Sequence, residues 1–115
     1  MTLLPGASRP HPRMDVSVTS AKPGVLVTVR GEIDLDTATD LRTALLHAVA
    51  ANSGTKAGVA LDLSDVSFCD STALNTLLHA RQHALDEGQT LTIATASPAV
   101  TRLLEITGAD SLFRP

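Results

Sequence analysis

Apolar and polar positions change period several times along this chain, and the changes mark out its elements. Val16 and Val18 alternate with polar neighbours, the period of a half-buried strand. Lys22-Pro23-Gly24 is a turn signal, and Val25-Leu26-Val27-Thr28-Val29 follows as a nearly continuous, β-branched strand. Two strands so close together predict an antiparallel hairpin. Gly31-Glu32-Ile33-Asp34 leads out of the second strand. Thr37-Ala38-Thr39-Asp40 then has the form of a capping box, and Leu41, Ala44, Leu45, Ala48 and Val49 recur behind it at helical spacing. Asn52-Ser53-Gly54 stops that helix.

Gly58-Val59-Ala60-Leu61-Asp62-Leu63 predicts a third strand, continued by a short extended loop as far as Cys69. Leu74, Leu77, Leu78, Ala84 and Leu85 share one face of a second helix, from about Ser71 to Glu87, closed by Gly88. Leu91-Thr92-Ile93 is a fourth strand. Ser97-Pro98 is an N-cap with proline in the first turn, opening a third helix that Gly108 ends. The remainder, to Pro115, reads as a brief extended piece or a frayed end.

The order is therefore β-β-α-β-α-β-α. Right-handed crossovers make the second, third and fourth strands mutually parallel, with the first antiparallel at one side. The expected class is α/β: a single domain over residues 14–115, with a mixed four- to five-stranded sheet packed with three to four helices. Residues 1–13 carry Pro5, Gly6, Ser8, Pro10 and Pro12 without periodicity and are expected to form a mobile tail.

Composition narrows the function classes. At 115 residues one core is expected. With two Phe and neither Tyr nor Trp, that core is aliphatic. A net charge of -3, no basic stripe and no stacking aromatics argue against nucleic-acid binding. The lone Cys69 excludes an internal disulfide and fits a reducing compartment. No apolar run approaches a membrane span and no signal peptide is visible, so the expected location is the cytoplasm, without membrane contact.

Candidate chemistry is sparse. Phosphate-binding glycine loops and metal-spaced His/Cys clusters are missing from the sequence, and His79 and His83, four apart, have no third ligand. Asp62 and Asp65 stand near the end of the third strand, but the acidic pair and lysine that a phosphoacceptor aspartate needs are not in place. Cys69, beside Asp70, lacks the cationic surroundings that activate a thiol. Asp70-Ser71-Thr72 remains: hydroxyls and a carboxylate at a predicted helix N-terminus. Unpaired backbone N–H groups and the helix dipole make such a place tolerant of phosphate. The residues alone favour the plainer reading of a helix cap. Asp34 leaves the second strand on the same sheet edge, where it either shares that surface or, with Asp36, simply leads into the first helix.

Four stretches together resemble the STAS domain of the anti-sigma-factor antagonist type. They are Val29-Arg30-Gly31-Glu32-Ile33-Asp34, Leu61 to Leu74, Gly88-Gln89-Thr90-Leu91, and Ser97 to Leu104, in that order. The resemblance implies a binding module and not an enzyme. Its unphosphorylated form engages an anti-sigma factor that is itself a serine kinase, and so releases a sigma factor. It also implies that Ser71 is the phosphorylation site, with Asp70, Thr72, Glu32 and Asp34 in the partner-binding surface. ATP and magnesium are used by the kinase, a phosphatase resets the switch, and the domain holds no cofactor of its own. Thr72-Ala73 departs from the Ser-Gly that commonly follows the family's phosphoserine. The alternatives are a STAS scaffold or accessory subunit of a transporter or signalling complex, without a phospho-switch, and nucleotide hydrolysis by the domain itself.

Overall fold

The computed structural model describes residues 8–21, 24–54 and 57–114, with only the backbone course for residues 8–11. The elements are β1 (Ser8–His11), β2 (Met14–Ala21), β3 (Gly24–Ile33), α1 (Ala38–Ala51), β4 (Val59–Cys69), α2 (Ser71–Asp86), β5 (Leu91–Ala96), α3 (Pro98–Thr107) and a closing 3-10 turn, Asp110–Phe113. The expected β-β-α-β-α-β-α order is present, preceded by one further strand. The five strands lie in chain order across the sheet. β1–β2 and β2–β3 pair antiparallel, and β3–β4 and β4–β5 pair parallel.

Part of the segment expected to be a tail is structured. Ser8–His11 pairs with Met14–Ser17 to form the sheet edge. Proline is tolerated on an edge strand because its missing N–H is not needed there; Pro10 lies opposite Asp15. Residues 1–7, and Lys22 and Pro23 of the predicted turn, lie outside the described residues. The extended loop expected after Leu63 is also strand. β4 runs on to Cys69 because β3 is nearly as long, and the two stay paired through Arg30↔Asp65, Gly31↔Val66, Glu32↔Phe68 and Ile33↔Cys69. Two register shifts absorb the mismatch, between Thr28 and Arg30 and between Gly31 and Glu32.

Alternation along the strands sends one set of side chains inward. Met14, Val16, Val18, Val27, Val29, Val59, Leu61, Leu63, Leu91 and Ile93 are all buried. α1 covers them with Leu41, Ala44, Leu45, Ala48 and Val49, and α2 with Ala73, Leu77, Ala80 and Ala84. α3 adds Val100 and Leu104, beside Phe113 of the closing turn. The other sheet face carries Ser17, Thr28, Asp62 and Thr92, half exposed.

At the end where the parallel strands begin, Gln89 is a buried polar clasp. Its Nε2 donates to the Val49 carbonyl (2.9 Å) and its Oε1 accepts from Asn52 Nδ2 (3.0 Å), which also reaches the Ala57 carbonyl (2.7 Å). Buried amides satisfied this way fix α1, the following loop and the start of β5 together.

Candidate functional site

The site lies at the opposite end, where β3 and β4 finish level. Ile33 and Cys69 are register partners, so Asp34 and Asp70 leave the sheet side by side, roughly one strand spacing of 4.8 Å apart. The chain then turns differently on each strand. After β3 it makes a tight turn through Asp34–Thr37; after β4 it enters α2 at once.

Asp70 is the N-cap of α2. Its Oδ1 accepts from the backbone N–H of Thr72 (3.0 Å) and of Ala73 (3.4 Å). The extended backbone of Asp70 (φ -129°, ψ -169°) is what an N-cap requires. Ser71 is then the first helical residue, and it is exposed. Thr72 is half-buried, and its carbonyl accepts from the Thr76 hydroxyl (2.9 Å). Ala73 is buried under the helix, so the small residue there is a packing contact. Of the three residues singled out in this cluster, one caps, one is presented to solvent, and one is partly tucked in.

The Asp34 turn departs from the expected capping box. The Thr37 side chain makes no cap bond to its own helix. Its hydroxyl is turned back, donating to the Glu32 carbonyl (2.8 Å) and accepting from the Asp34 N–H (3.0 Å). Fully buried, Thr37 shapes the turn that holds Asp34. Asp34 Oδ1 in turn accepts from the Asp36 N–H (3.0 Å).

Arg13, at the β1–β2 turn, completes the edge, and the sequence reading missed it. Its guanidinium takes Asp34 on two prongs, Nη1 to Oδ2 at 2.5 Å and Nη2 to Oδ1 at 3.0 Å. It also reaches Glu32 (3.3 Å) and Asp36 (3.2 Å). Hydrogen bonding to Arg13, with further help from the Asp36 and Thr37 N–H groups, lowers the Asp34 carboxyl to about 2, while Arg13 itself is raised by the same contact. Gly31 permits the approach. Its φ of +100° is in the range glycine favours, and a β-carbon there would stand 2.2 Å from the Arg13 carbonyl oxygen. That oxygen accepts from the Glu32 N–H at 2.8 Å. The one signal in the sequence was Gly31 itself, a glycine inside a strand pattern, which marks a bulge or a close backbone approach.

On the α3 side the site opens into a cleft of about 420 Å³, lined by Ser67, Phe68, Cys69, Pro98, Ala99 and Arg102. Phe68 is 48% exposed there, unusual for so large an apolar side chain. The Cys69 thiol is pushed up by burial and by Asp70, and its Sγ lies 3.5 Å from the Ala99 carbonyl oxygen, so it is a poor nucleophile. Asp62 and Asp65 have structural work elsewhere on the sheet. Asp62 accepts from the Ser64 and Thr95 hydroxyls (2.6 Å each), and Asp65 pairs with Arg30 (3.3 Å). Among the described residues no group of three His, Cys, Asp or Glu could hold a metal, and no helix is long and apolar enough to cross a membrane.

Residues 16–114 match the family model described as Mlab, STAS domain. The chain belongs to the STAS domain family. This STAS domain is 30% identical over 88 residues to a STAS-domain containing protein of Pseudomonas aeruginosa strain UCBPP-PA14, a match spanning 76% of this chain and 83% of that protein. Among solved structures it is similar to an anti-sigma factor antagonist from Mycobacterium paratuberculosis, with TM-score 0.76 and 30% identity over 90% of this chain and 86% of that one. It also shares its fold with the anti-sigma factor antagonist SpoIIAA in its unphosphorylated form, at TM-score 0.66 and 18% identity over 84% of each chain. The STAS fold expected from the four sequence stretches is therefore the fold observed.

Proposed function

We propose that this STAS domain is an anti-sigma-factor antagonist whose binding is switched off by phosphorylation of Ser71. The carrying observation is the placement of Ser71: exposed, first in α2, directly after an Asp70 cap, on the edge where Asp34 and Glu32 emerge. Similarity to an anti-sigma factor antagonist over nearly the whole chain supports the same reading. The unphosphorylated domain binds an anti-sigma factor, a serine kinase, through the surface formed by Glu32, Asp34, Asp70 and Thr72. The sigma factor is thereby released.

The kinase, using ATP and magnesium, transfers one phosphoryl group to the Ser71 hydroxyl, which gives up its proton as ADP leaves. Two negative charges then stand beside Asp70 and Asp34 and repel the partner surface. The positive end of the helix dipole at the first turn favours an anion, so α2 survives the modification. A phosphatase restores the serine. In this reading the domain acts in the cytoplasm as a substrate and binding module, without a cofactor or a reaction of its own.

A second reading is a STAS scaffold or accessory subunit without a switch. It draws on the Mlab description of the matching family model and on Thr72-Ala73, which replaces the commoner Ser-Gly. One experiment separates the two. Ser71→Ala and Ser71→Asp proteins serve as baits in native lysate, and the captured proteins are tested as kinases on the wild-type domain by mass spectrometry. The switch predicts a serine kinase retained by the Ala bait and lost from the Asp bait, which adds one phosphoryl group at Ser71. A partner held equally by both baits, with Ser71 left unmodified, sinks the switch and supports the scaffold.

A further inference from the structure

Arg13 is fastened at two levels to the strand end that borders the site. Its carbonyl accepts from the Glu32 N–H, and its guanidinium spans Glu32, Asp34 and Asp36. The contact differs from the other ion pairs in burial. Arg13 and Asp34 side chains are 34% and 22% exposed, against 59% and 64% for Arg30–Asp65. A two-pronged arginine–carboxylate pair fixes plane and direction as well as distance. Exposed single-pronged pairs do neither and contribute little.

The strand order puts this clamp in a particular relation to Ser71. Arg13 belongs to the β2 side of β3, and Asp70-Ser71 follows β4 on the other side, with Asp34 between. Two strand spacings, roughly 10 Å, separate the Arg13 backbone from that of Ser71. That is beyond direct contact, yet comparable with the screening length of about 10 Å at moderate salt.

We infer that Arg13 is a positioning residue of the Ser71 surface: it locks the Glu32 and Asp34 carboxylates into one fixed array and so sets the charge that a phosphate on Ser71 meets. The inference rests on the reading of Ser71 as the phosphoacceptor. The charged and titratable groups around such a phosphate are Asp70 and Cys69 from the β4–α2 junction, Glu32, Asp34 and Asp36 from the end of β3, Arg102 of α3 across the cleft, and Arg13 from the β1–β2 turn. Without Arg13 the carboxylates at the end of β3, Glu32, Asp34 and Asp36, lose their common anchor and the cation that bridges them.

The test needs neither kinase nor partner. Phosphoserine is installed at position 71 of the full chain by genetic incorporation and titrated by phosphorus NMR, in the wild-type, Arg13→Gln and Arg13→Lys backgrounds. Asp34 is followed by carboxyl-carbon NMR in the same samples. At low salt, Arg13→Gln is expected to raise the second phosphate ionisation by roughly 0.3 of a pH unit, the effect of removing one charge at ~10 Å in water. Arg13→Lys is expected to cancel that shift while only partly restoring Asp34, because lysine keeps the charge and loses the fork. The Glu32 amide, bonded to the Arg13 backbone in every variant, reports that the turn is intact. A phosphate curve indifferent to Arg13→Gln, or Asp34 titrating alike with and without Arg13, overturns the inference. Should Arg13→Gln not fold, the Lys protein decides alone: Asp34 displaced from its wild-type titration supports the inference, and Asp34 unmoved overturns it. A kinase that ignores Ser71 would sink the switch and leave these curves as they are, so the two failures are distinguishable.

Discussion

At the scale of single residues, the site is a set of side chains whose roles differ more than their names suggest. Asp34 and Asp70 are adjacent carboxylates with different partners. Asp70 spends its lone pairs on backbone N–H groups, and Asp34 spends its own on Arg13. The Asp34 pairing has a pH signature. Its folded value, about 2, lies below the ordinary 3.8, so its stabilisation is fully present above that ordinary value and is lost as pH falls from about 4 towards 2. In urea titrations across that window, wild type is expected to lose more stability than Arg13→Gln; parallel losses would show that the pairing does not contribute.

The places of Ser71, Asp70 and Asp34 at a helix start and a strand end were legible from local chemistry, whereas the roles proposed for them come from the resemblance to the STAS family. Arg13 was not legible. It stands among prolines, in no periodic pattern, and its partners are 19 to 23 residues away. Only the register of β2 against β3 brings it to them.

At the scale of elements, the useful comparison is between the two helix starts. α2 is capped by its own preceding aspartate, whereas α1 begins without a side-chain cap because Thr37 is occupied with Glu32 and Asp34. The capping-box pattern at Thr37 was read from spacing alone, and a tertiary hydrogen bond overrode it. The Asp70 cap can be tested. Asp70→Ala is expected to lower stability by about 1 kcal/mol in urea unfolding, whereas Asp70→Asn stays near wild type, since asparagine caps as well as aspartate. Equal losses in both variants would assign the effect to charge instead of capping.

Exposed Ser64, Asp65 and Ser67 around the single buried Val66 hid the second half of β4, which beyond Leu63 is paired on one side only. Strand existence was thus legible wherever both neighbours demanded a buried face, and strand length was not.

At the scale of the whole molecule, the sheet is an open one with β1 and β5 at its edges. β1 supplies backbone pairing at one edge, Ser8–His11 against Met14–Ser17. Deleting residues 1–11 is therefore expected to keep the circular-dichroism spectrum and the Asp34 titration, because Arg13 remains. It is also expected to expose the edge of β2 and raise concentration-dependent self-association in light scattering. Loss of the folded spectrum would show that β1 is integral to the core. Fold class, element order and the parallel core were readable at this scale because each βαβ unit carries its own period and handedness.

The one-sided covering of the sheet has a last consequence. The molecule is a plate 19 Å thick, with a single layer of aliphatic side chains between helices and strands. A core one layer deep has no second half to survive when the first gives way, so unfolding is expected to be all-or-none. The neighbourhood of Ser71 is drawn from β3, β4, α2 and the β1–β2 turn, which the folded sheet brings to one edge. An unfolded chain would still display the Asp70-Ser71-Thr72 tripeptide, but without Asp34 and Arg13 beside it. A partner that read the assembled edge would thereby discriminate intact molecules from damaged ones.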